Sequence, residues 1–332
     1  MSPRISEATA VAHPNIALIK YWGKADAARN IPAVGSLSIT LDGLTTTTRL
    51  RFDPDLGADR FVLGGRRAPE MEARVTSCLD LLRQRADVET RALVESDNDF
   101  PTAAGLASSA SGFAALVVAA DRALRTGIAT ADLADLARQA SGSAARSLFG
   151  GFVEVSLTAG ARGVMPRTKQ VLEPSAWPLG VVVAVTDTGP KDVGSTEGMV
   201  RTERTSPYYS AWVDSSGADL AEARAAVERL DFEALADISE LSCLKMHAVM
   251  LSARPGLVYW NGATVECIRR IRELRADGVG VFFTIDAGPQ VKAVCLPEAQ
   301  NRVATELGAV PGVGRIIESG LGDGARIVEA VG

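Results

Sequence analysis

The chain has 332 residues, a formal net charge of −5 at pH 7 and 47% hydrophobic residues, which is the composition of an ordinary globular protein. Its length exceeds what one hydrophobic core comfortably serves, so two domains are expected. The negative charge argues against a nucleic-acid partner, because no overall basic field is available to neutralise phosphates. A local basic pocket for a small anion remains compatible with it.

The cysteines and the N-terminus favour a cytoplasmic protein. The four cysteines are far apart and form no CxxC pair, so reduced thiols are expected and neither a zinc site nor a disulfide framework is indicated. The N-terminus has no signal-peptide pattern and no apolar segment reaches transmembrane length, so no membrane association is expected. Only two histidines occur, so acid–base chemistry is expected from carboxylates or lysine.

In the first half of the chain, strand and helix patterns alternate. Strands are predicted in "AVAHPNIALIKYW", "SLSITL", "TTTTRLRF", "TRALVES" and "GGFVEVSL". Helices are predicted in "PEMEARVTSCLDLLRQRA", from about Leu106 to Ala123, and in "TADLADLARQAS" with Thr130 as its N-cap.

In the second half, a buried strand in "WPLGVVVAVTDTGPKD" precedes three long helices, "GADLAEARAAVERL", "FEALADISELSCLKMHAVML" and "NGATVECIRRIRELRADG". The strand "VGVFFTIDAGP" and its hairpin partner "QVKAVCL" come next, then a helix "EAQNRVATEL" and two short strands. These patterns predict an α+β protein with mixed sheets covered by helices on one side, divided into domains 1–185 and 186–332.

The stretch "FPTAAGLASSASGFAAL", residues 100–116, places small residues between a strand and a helix. A helix N-terminus offers unpaired N–H groups to an anion, and small side chains leave room for a phosphate. Ser108 and Ser109 add hydroxyls for phosphate oxygens or Mg²⁺. The alternative is a tight turn into a buried alanine-rich helix, which explains the alanines well and the two serines less well.

The stretch "NIALIKYWGK" carries Lys20 to the end of an apolar strand, where a lysine is usually out of place. Such a lysine either extends to solvent or meets a carboxylate or phosphate. An ordinary strand end with two solvated lysines, Lys20 and Lys24, is the simpler explanation.

Two further stretches place polar residues at the ends of elements. In "SGSAARSLFGG", Arg146 can bind a phosphate or carboxylate with two N–H groups, or it is a surface arginine after a helix cap. In "TIDAGPQ", Asp286 follows a buried strand and is either a turn residue or a carboxylate presented to a cleft, with Lys20 as its partner. Together the four stretches suit phosphoryl transfer to an anionic substrate.

The sequence resembles the GHMP kinase superfamily, whose phosphate loop P-x-x-x-G-L-x-S-S-A corresponds to residues 101–110. Within it, the chain is similar to the diphosphomevalonate decarboxylases through five stretches in family order, "NIALIKYWGK", "PTAAGLASSASGFAAL", "SGSAARSLFGG", "GMVRTERTSPYYSAWV" and "IDAGPQVK". The resemblance implies two lobes, one similar to ribosomal protein S5 domain 2 and the other ferredoxin-like, with the active site between them. It also implies a homodimer that uses ATP and Mg²⁺ to convert (R)-5-diphosphomevalonate to isopentenyl diphosphate.

The resemblance also implies roles for individual residues. Asp286 is implied as the catalytic aspartate, with Lys20 as its partner and Ser109 as a catalytic hydroxyl that also reaches Mg²⁺ through ATP. The substrate-binding positions are Tyr21, Trp22, Gly23, Lys24, Arg74, Ser141, Gly142, Ser143, Ala144, Ala145, Arg146, Ser195 and Thr196. The ATP-binding positions are Ser96, Asn98, Pro101, Ala103, Ala104, Gly105, Leu106, Ala107, Ser108 and Ser109.

The chain departs from the family pattern at Val34, Gly35 and Gly194, where the family has polar residues near the substrate. These departures put the choice between a 5-diphosphate and a 5-monophosphate in question. Three other functions remain: a decarboxylase of 5-phosphomevalonate, a kinase that stops at the 3-phosphate, and a non-catalytic nucleotide-binding regulator. The presence of both Lys20 and Asp286 argues against the last two.

Overall fold

A computed structural model describes residues 6–100, 108–160, 163–189 and 191–329 of the chain. Within these ranges the helices are α1 Pro69–Ala86, α2 Ser108–Leu124, α3 Thr130–Ala140, α4 Ser195–Thr205, α5 Tyr209–Glu228, α6 Phe232–Leu251, α7 Gly262–Ala276 and α8 Gln300–Gly308. The strands are β1 Ser6–Ala12, β2 Asn15–Ile19, β3 Lys24–Asp26, β4 Ile31–Pro32, β5 Ser36–Thr40, β6 Thr46–Phe52, β7 Arg60–Leu63, β8 Arg66–Arg67, β9 Ala92–Asn98, β10 Phe152–Gly160, β11 Gly163–Leu172, β12 Gly180–Val185, β13 Val281–Ile285, β14 Val291–Cys295, β15 Arg315–Ser319 and β16 Arg326–Glu329. Short 3₁₀ helices span Ala144–Leu148, Pro174–Ala176 and Pro297–Ala299.

The first sheet has the order β16-β1-β6-β9-β7-β8 and is mixed, since β7 runs parallel to β9 while the other pairs are antiparallel. Helices α1 and α2 cover one face of it, and α3 packs against both helices. The alanines of α2 that face this sheet are fully buried, among them Ala115 and Ala119. Because alanine adds so little bulk, α2 lies close against β1 and β6, and its N-terminus is held at the edge of the cavity described below.

The other two main sheets are antiparallel and form the rest of the molecule. One has the order β11-β10-β5-β2 and the other β13-β14-β12-β15. Side chains of β2, β5, β12, α5 and α6 share a single core between them. Helices α7 and α8 cover the outer face of the β13-β14-β12-β15 sheet, where Ile271 and Val303 are fully buried. This docking brings the end of β2 next to the end of β13.

The predicted α+β class is confirmed, and several predicted elements match their observed bounds. Helices α1 and α6 have the predicted limits, and β13 and β14 form the predicted hairpin. The prediction of Thr130 as an N-cap is wrong: it is the first helical residue, and Ala129 precedes it without a side-chain cap. Helix α4 and the short hairpin of β3 and β4 were not predicted.

Strand β16, near the end of the chain, pairs with β1 in the first sheet. In the β13-β14-β12-β15 sheet, β12 pairs with β14 and with β15. The division into domains 1–185 and 186–332 stays a prediction.

All four cysteines are free and buried. Among the described residues, no helix is both long enough and apolar enough to cross a membrane.

Candidate active site

A cavity of about 790 Å³ lies where the sheets and helices of the two halves meet. It brings together most of the residues singled out in the sequence, which otherwise lie far apart in the chain. These lining residues are Lys20, Tyr21, Trp22, Lys24, Arg74, Ser108, Ser109, Ser141, Gly142, Ser143, Arg146, Ser195, Thr196 and Asp286. Lining residues that the sequence did not single out include Asn15, Asn30, Lys191, Glu197, Met199 and Met246.

An ion pair at the wall of the cavity joins the ends of two strands. Strand β2 is buried throughout and ends one residue before Lys20, and β13 is buried throughout and ends one residue before Asp286. Nζ of Lys20 lies 2.7 Å from Oδ1 of Asp286, so the predicted partnership is present in the structure. The side chain of Lys20 is 1% exposed and that of Asp286 31% exposed, which leaves the carboxylate open to the cavity.

A second lysine, Lys292 on β14, also contacts Asp286, with Nζ 3.2 Å from Oδ2. Burial alone would raise the pKa of the Asp286 carboxyl, but the charges of Lys20 and Lys292 outweigh it and hold the pKa far below its usual value. Asp286 is therefore ionised in the free protein at any pH near neutrality. Lys292 was not predicted, although a lysine within the apolar strand "VKAVC" was a visible signal.

Helix α6 holds the backbone on both sides of this ion pair. The N–H of Lys20 donates to Oγ of Ser242 at 3.0 Å, and the N–H of Ile285 donates to Sγ of Cys243 at 3.2 Å. Ser242 and Cys243 are adjacent on one buried face of the helix, and both are fully buried. Strands β2 and β13 are each an edge strand of their sheet, so these side chains supply hydrogen-bond partners to backbone N–H groups at the two sheet edges.

Arg146 is a buried cation at the cavity, held by two uncharged side chains. Its Nε donates to Oδ1 of Asn15 at 2.9 Å and its Nη1 to Oγ of Ser36 at 3.1 Å. Burial lowers the pKa of Arg146 to about 10, with Asp286 acting in the opposite direction, so the guanidinium stays charged near neutrality. Among the described residues no carboxylate forms an ion pair with Arg146, and such a buried guanidinium is suited to an incoming anion.

Arg74 and Lys24 form a second cationic group at the cavity. The Nε of Arg74 donates to the carbonyl of Ala140 at 2.8 Å, and its guanidinium stacks over the ring of Phe113, 4.7 Å from the centroid. Burial and the charge of Arg74 both lower the pKa of Lys24. The two side chains repel each other in the free protein, and an anion placed between them relieves that repulsion.

Ser109 presents its hydroxyl in the cavity at the start of α2, and its Oγ lies 3.4 Å from Oγ of Ser141. The two predicted small-residue loops therefore meet at this contact. The remaining predicted phosphate-loop positions, Pro101, Ala103, Ala104, Gly105, Leu106 and Ala107, lie outside the described residues.

The residues of "YWGK" differ in what they expose. Tyr21 borders the cavity, whereas the side chain of Trp22 is buried and its indole N–H donates to Oγ1 of Thr202 at 2.8 Å. Gly23 has φ +94°, and a Cβ there would lie 2.1 Å from the hydroxyl oxygen of Tyr209, so glycine is required for both reasons. Gly142 is similarly close to Tyr21, because a Cβ would lie 2.7 Å from its hydroxyl oxygen. The loop that carries Gly142 therefore packs closely against Tyr21.

Some predicted site residues are not among the described residues that line the cavity. Ala144 and Ala145 are fully buried in the 3₁₀ helix that carries Arg146. Ser96 is buried in β9, where its Oγ lies 2.9 Å from Oγ1 of Thr48, and Oδ1 of Asn98 accepts from Oγ1 of Thr46 at 2.5 Å. The nucleotide roles of Ser96 and Asn98 stay predictions.

The departures from the family pattern fall in two different environments. Val34 is buried in a cluster with Trp22, and Gly35 packs against Leu220 and the carbonyl of Val155; neither is among the described lining residues. Gly194 does line the cavity, directly before α4, and no atom lies within 4 Å of a Cβ built there. Of the three departures, Gly194 is therefore the one that contacts the cavity directly.

Lys191 adds another cation at the cavity, on the loop between β12 and α4. Burial and the nearby Lys292 lower its pKa, while Asp286 raises it. Its Nζ lies 6.0 Å from the ring centroid of Tyr259. Among the described residues no group of three or more histidines, cysteines, aspartates and glutamates is arranged to hold a metal ion.

The fold and the cationic cavity match a known class of proteins. A diphosphomevalonate decarboxylase-like N-terminal domain matches residues 12–163, and a mevalonate 5-diphosphate decarboxylase C-terminal domain matches residues 181–311. The mevalonate diphosphate decarboxylase structure from Staphylococcus aureus superposes with a TM-score of 0.91 at 36% identity, covering 98% of each chain. A structure described as MDDEF in complex with MVAPP, AMPPCP and magnesium superposes with a TM-score of 0.89 at 38% identity, over 98% of this chain and 99% of that one.

Relatives of known function agree with this class. The diphosphomevalonate decarboxylase of Eremothecium gossypii is 35% identical over 324 residues, which span 92% of this chain and 81% of that protein. The human diphosphomevalonate decarboxylase is 36% identical over 305 residues, spanning 86% of this chain and 76% of that protein. The chain belongs to the diphosphomevalonate decarboxylase family.

Proposed function

We propose that this protein converts (R)-5-diphosphomevalonate to isopentenyl diphosphate, with release of CO₂ and phosphate and conversion of ATP to ADP. The observation that carries the proposal is the Lys20–Asp286 ion pair, whose carboxylate opens into a cavity surrounded by cations. Membership of the diphosphomevalonate decarboxylase family supports the same reaction.

The charges of the cavity suit a substrate with several negative groups. Arg74 and Lys24 form one cationic group, and Arg146, Lys191 and Lys20 form another around Asp286. The pair of Arg74 and Lys24 suits the diphosphate of the substrate. A cation near Asp286 suits the substrate carboxylate next to the reacting carbon. Because carboxylate loss ends the reaction, that cation should hold the carboxylate without stabilising it strongly.

Asp286 is positioned to orient the 3-hydroxyl of the substrate and to receive its proton. The two lysines keep Asp286 ionised, which makes it an acceptor, but its low pKa also makes it a weak base. Its main contribution before the reaction is therefore orientation, and proton transfer becomes favourable as the oxygen–phosphorus bond forms. Loss of phosphate from C3 then leaves positive charge next to the carboxylate, whose carbon–carbon bond breaks to give CO₂ and the double bond.

The residues at the start of α2 fit a nucleoside triphosphate. Ser108 and Ser109 line the cavity there, where the first N–H groups of a helix have no partners within it. We extend the proposal to ATP with Mg²⁺. When bound, ATP would supply the phosphoryl group and Mg²⁺ would offset the negative charge of its phosphates. Ser109 would hold the phosphates or the ion through its hydroxyl. The magnesium and AMPPCP in the related structure support ATP and Mg²⁺ as the cofactors.

We also propose that the protein is a cytoplasmic homodimer. Support for the cytoplasm comes from the four free, buried cysteines, which suit a reducing compartment. The homodimer rests on the family resemblance, and light scattering of the purified protein tests it.

The test of function is CO₂ release by purified protein with 5-diphosphomevalonate and with 5-phosphomevalonate, each with and without ATP. We expect ATP-dependent CO₂ release from the diphosphate, matched by ADP, and its loss in Asp286→Asn. Faster turnover of the monophosphate would make the protein a phosphomevalonate decarboxylase. ADP with a 3-phosphorylated product and no CO₂ would make it a kinase, and nucleotide binding without either product would make it a regulator.

A further inference from the structure

Lys292 is a second buried lysine on the catalytic carboxylate. It is the second residue of β14, opposite Thr284 of β13, and every residue of β14 is buried. Its side chain is 2% exposed, and Nζ lies 3.2 Å from Oδ2 of Asp286. Lys20 and Asp286 are among the described residues that line the cavity, and Lys292 is not.

Among the described residues, the cationic side chains around Asp286 outnumber its one carboxylate. Burial and the charge of Lys20 lower the pKa of Lys292, while Asp286 raises it. Lys20 and Lys292 share one carboxylate, and Arg146 and Lys191 add to its positive surroundings. The two groups that α6 contributes are neutral, because burial raises the pKa of the Cys243 thiol to about 11 and lowers that of the His247 imidazole to about 3.

This excess has a cost for the folded state. Desolvation of a second cation is unfavourable when the carboxylate is already neutralised by the first. An apolar side chain in place of Lys292 would suit the buried strand better. A buried charge that does not serve stability is typical of a functional site.

We infer that Lys292 is a positioning residue that holds the second oxygen of Asp286 while Lys20 holds the first. This inference rests on the proposed function, in which Asp286 faces the substrate hydroxyl. With both oxygens held, the plane of the carboxylate is set relative to that hydroxyl. The second cation also offsets the negative charges that substrate and nucleotide bring close to Asp286, which would otherwise favour its protonation.

The test compares four proteins: wild type, Lys292→Met, Asp286→Asn and the double variant. Methionine keeps the length of the side chain and removes its charge. We expect Lys292→Met to lower kcat by about 10²-fold, the effect of a small misplacement of a reacting group. KM should change little, because Lys292 does not line the cavity. In the Asp286→Asn background, Lys292→Met should have no further effect on kcat, since it acts through that carboxylate.

Melting temperatures give a readout that does not need activity. Lys292→Met should melt no earlier than wild type. Asp286→Asn should melt earlier, because two buried lysines then lack a counter-charge, and the double variant should recover part of that loss. Lys292→Arg should recover part of the kcat. Lys245→Met removes a lysine from an ion pair with Asp219 that lies outside the cavity lining and should turn over like wild type.

The inference is overturned if Lys292→Met keeps the kcat of the wild type. It is also overturned if Lys292→Met lowers kcat in the Asp286→Asn background by the same factor as in the wild type. Early melting of Lys292→Met with no recovery in the double variant also overturns it, because that is the pattern of a structural residue. Absence of CO₂ release by the wild-type protein overturns the proposed function instead, which keeps the two failures distinct.

Discussion

Nζ of Lys20 lies 2.7 Å from Oδ1 of Asp286, although the two residues are 266 positions apart in the chain. Each follows the end of a buried strand, and the strands belong to different sheets. The hydroxyl of Thr284 donates to the carbonyl of Ala17 at 2.8 Å, which joins the same two strands a few residues earlier. The carboxylate of Asp286 is therefore oriented only when the two sheets are docked.

The first prediction is that Lys20→Met lowers turnover by about 10²-fold, the typical cost of losing one charged hydrogen bond at a reacting centre. Thermal stability should change little, because Lys292 still neutralises Asp286. Steady-state kinetics and thermal melting of the same preparations provide the check. Lys169→Met, on the exposed hairpin strand β11, is the control. Turnover within twofold of wild type would show that Lys20 is not needed.

Ser109→Ala should lower kcat by about tenfold or more, since one transition-state contact of about 1.4 kcal/mol is lost. The KM for ATP should change less than kcat, because many other groups hold the nucleotide. Ser77→Ala removes an exposed serine hydroxyl from α1 and serves as the control. An unchanged kcat at saturating ATP would remove Ser109 from the catalytic residues.

Replacing either Arg74 or Arg146 with lysine keeps the charge and loses the planar guanidinium. Arg74→Lys should raise the KM for the mevalonate substrate with near-normal stability. Arg146→Lys should also lower the free energy of unfolding by about 1–3 kcal/mol, because the buried Asn15 and Ser36 lose their partner. Urea unfolding and substrate titration separate the two effects. Earlier unfolding of Arg74→Lys with unchanged KM would make Arg74 structural.

His247 should make the protein less stable in mild acid. The pKa of its buried imidazole is lowered to about 3, whereas in the unfolded chain it is near 6.5. The unfolded state therefore takes up a proton below pH 6.5 while the folded state does not. Stability from this residue is complete above that pH and falls by about 1.4 kcal/mol per pH unit as the pH drops towards 3.

His247→Gln, which stays neutral throughout, should flatten this dependence. The measurement is urea unfolding at intervals from pH 8 to pH 5. The curves of the two proteins should run parallel above pH 7 and converge below pH 6.5. Parallel curves over the whole range would show that His247 is not responsible for the acid sensitivity.

Gly194→Ser should stabilise the protein by a few tenths of a kcal/mol, because Gly194 is the N-cap of α4 and makes no side-chain cap. The added hydroxyl enters open space at the cavity and should lower the KM for the 5-diphosphate substrate. Gly217→Ser places a serine in open space on α5, outside the cavity lining, and should leave that KM unchanged. An equal change of KM for diphosphate and monophosphate would exclude Gly194 as a determinant of the choice between them.

Where local sequence signals are strong, helices α1 and α6 were predicted with their observed bounds and β13 was predicted within the longer stretch "VGVFFTIDAGP". Helix α1 begins with Pro69, carries acidic residues in its first turn and buries an apolar stripe through Val75 and Leu79. Strand β13 is an apolar run ended by an Ala-Gly-Pro turn. These signals act between neighbours in the chain, so they are readable without the fold. The family stretches likewise identified Lys20, Arg146 and Asp286 as residues of one site.

Contacts that depend on how sheets dock were not readable in this way. The contact of Lys292 with Asp286 depends on the β13–β14 register, which sets Lys292 opposite Thr284. The buried environment of Trp22 depends on Thr202, on a helix that was not predicted. A side chain's neighbours across two sheets are set by packing, which the order of residues in one segment does not encode. The sequence by itself determined which charged residues stand at the ends of strands and helices. Only the tertiary structure decided that two buried lysines would share one carboxylate, because that arrangement exists only once β2 packs against the β13–β14 hairpin from the other end of the chain.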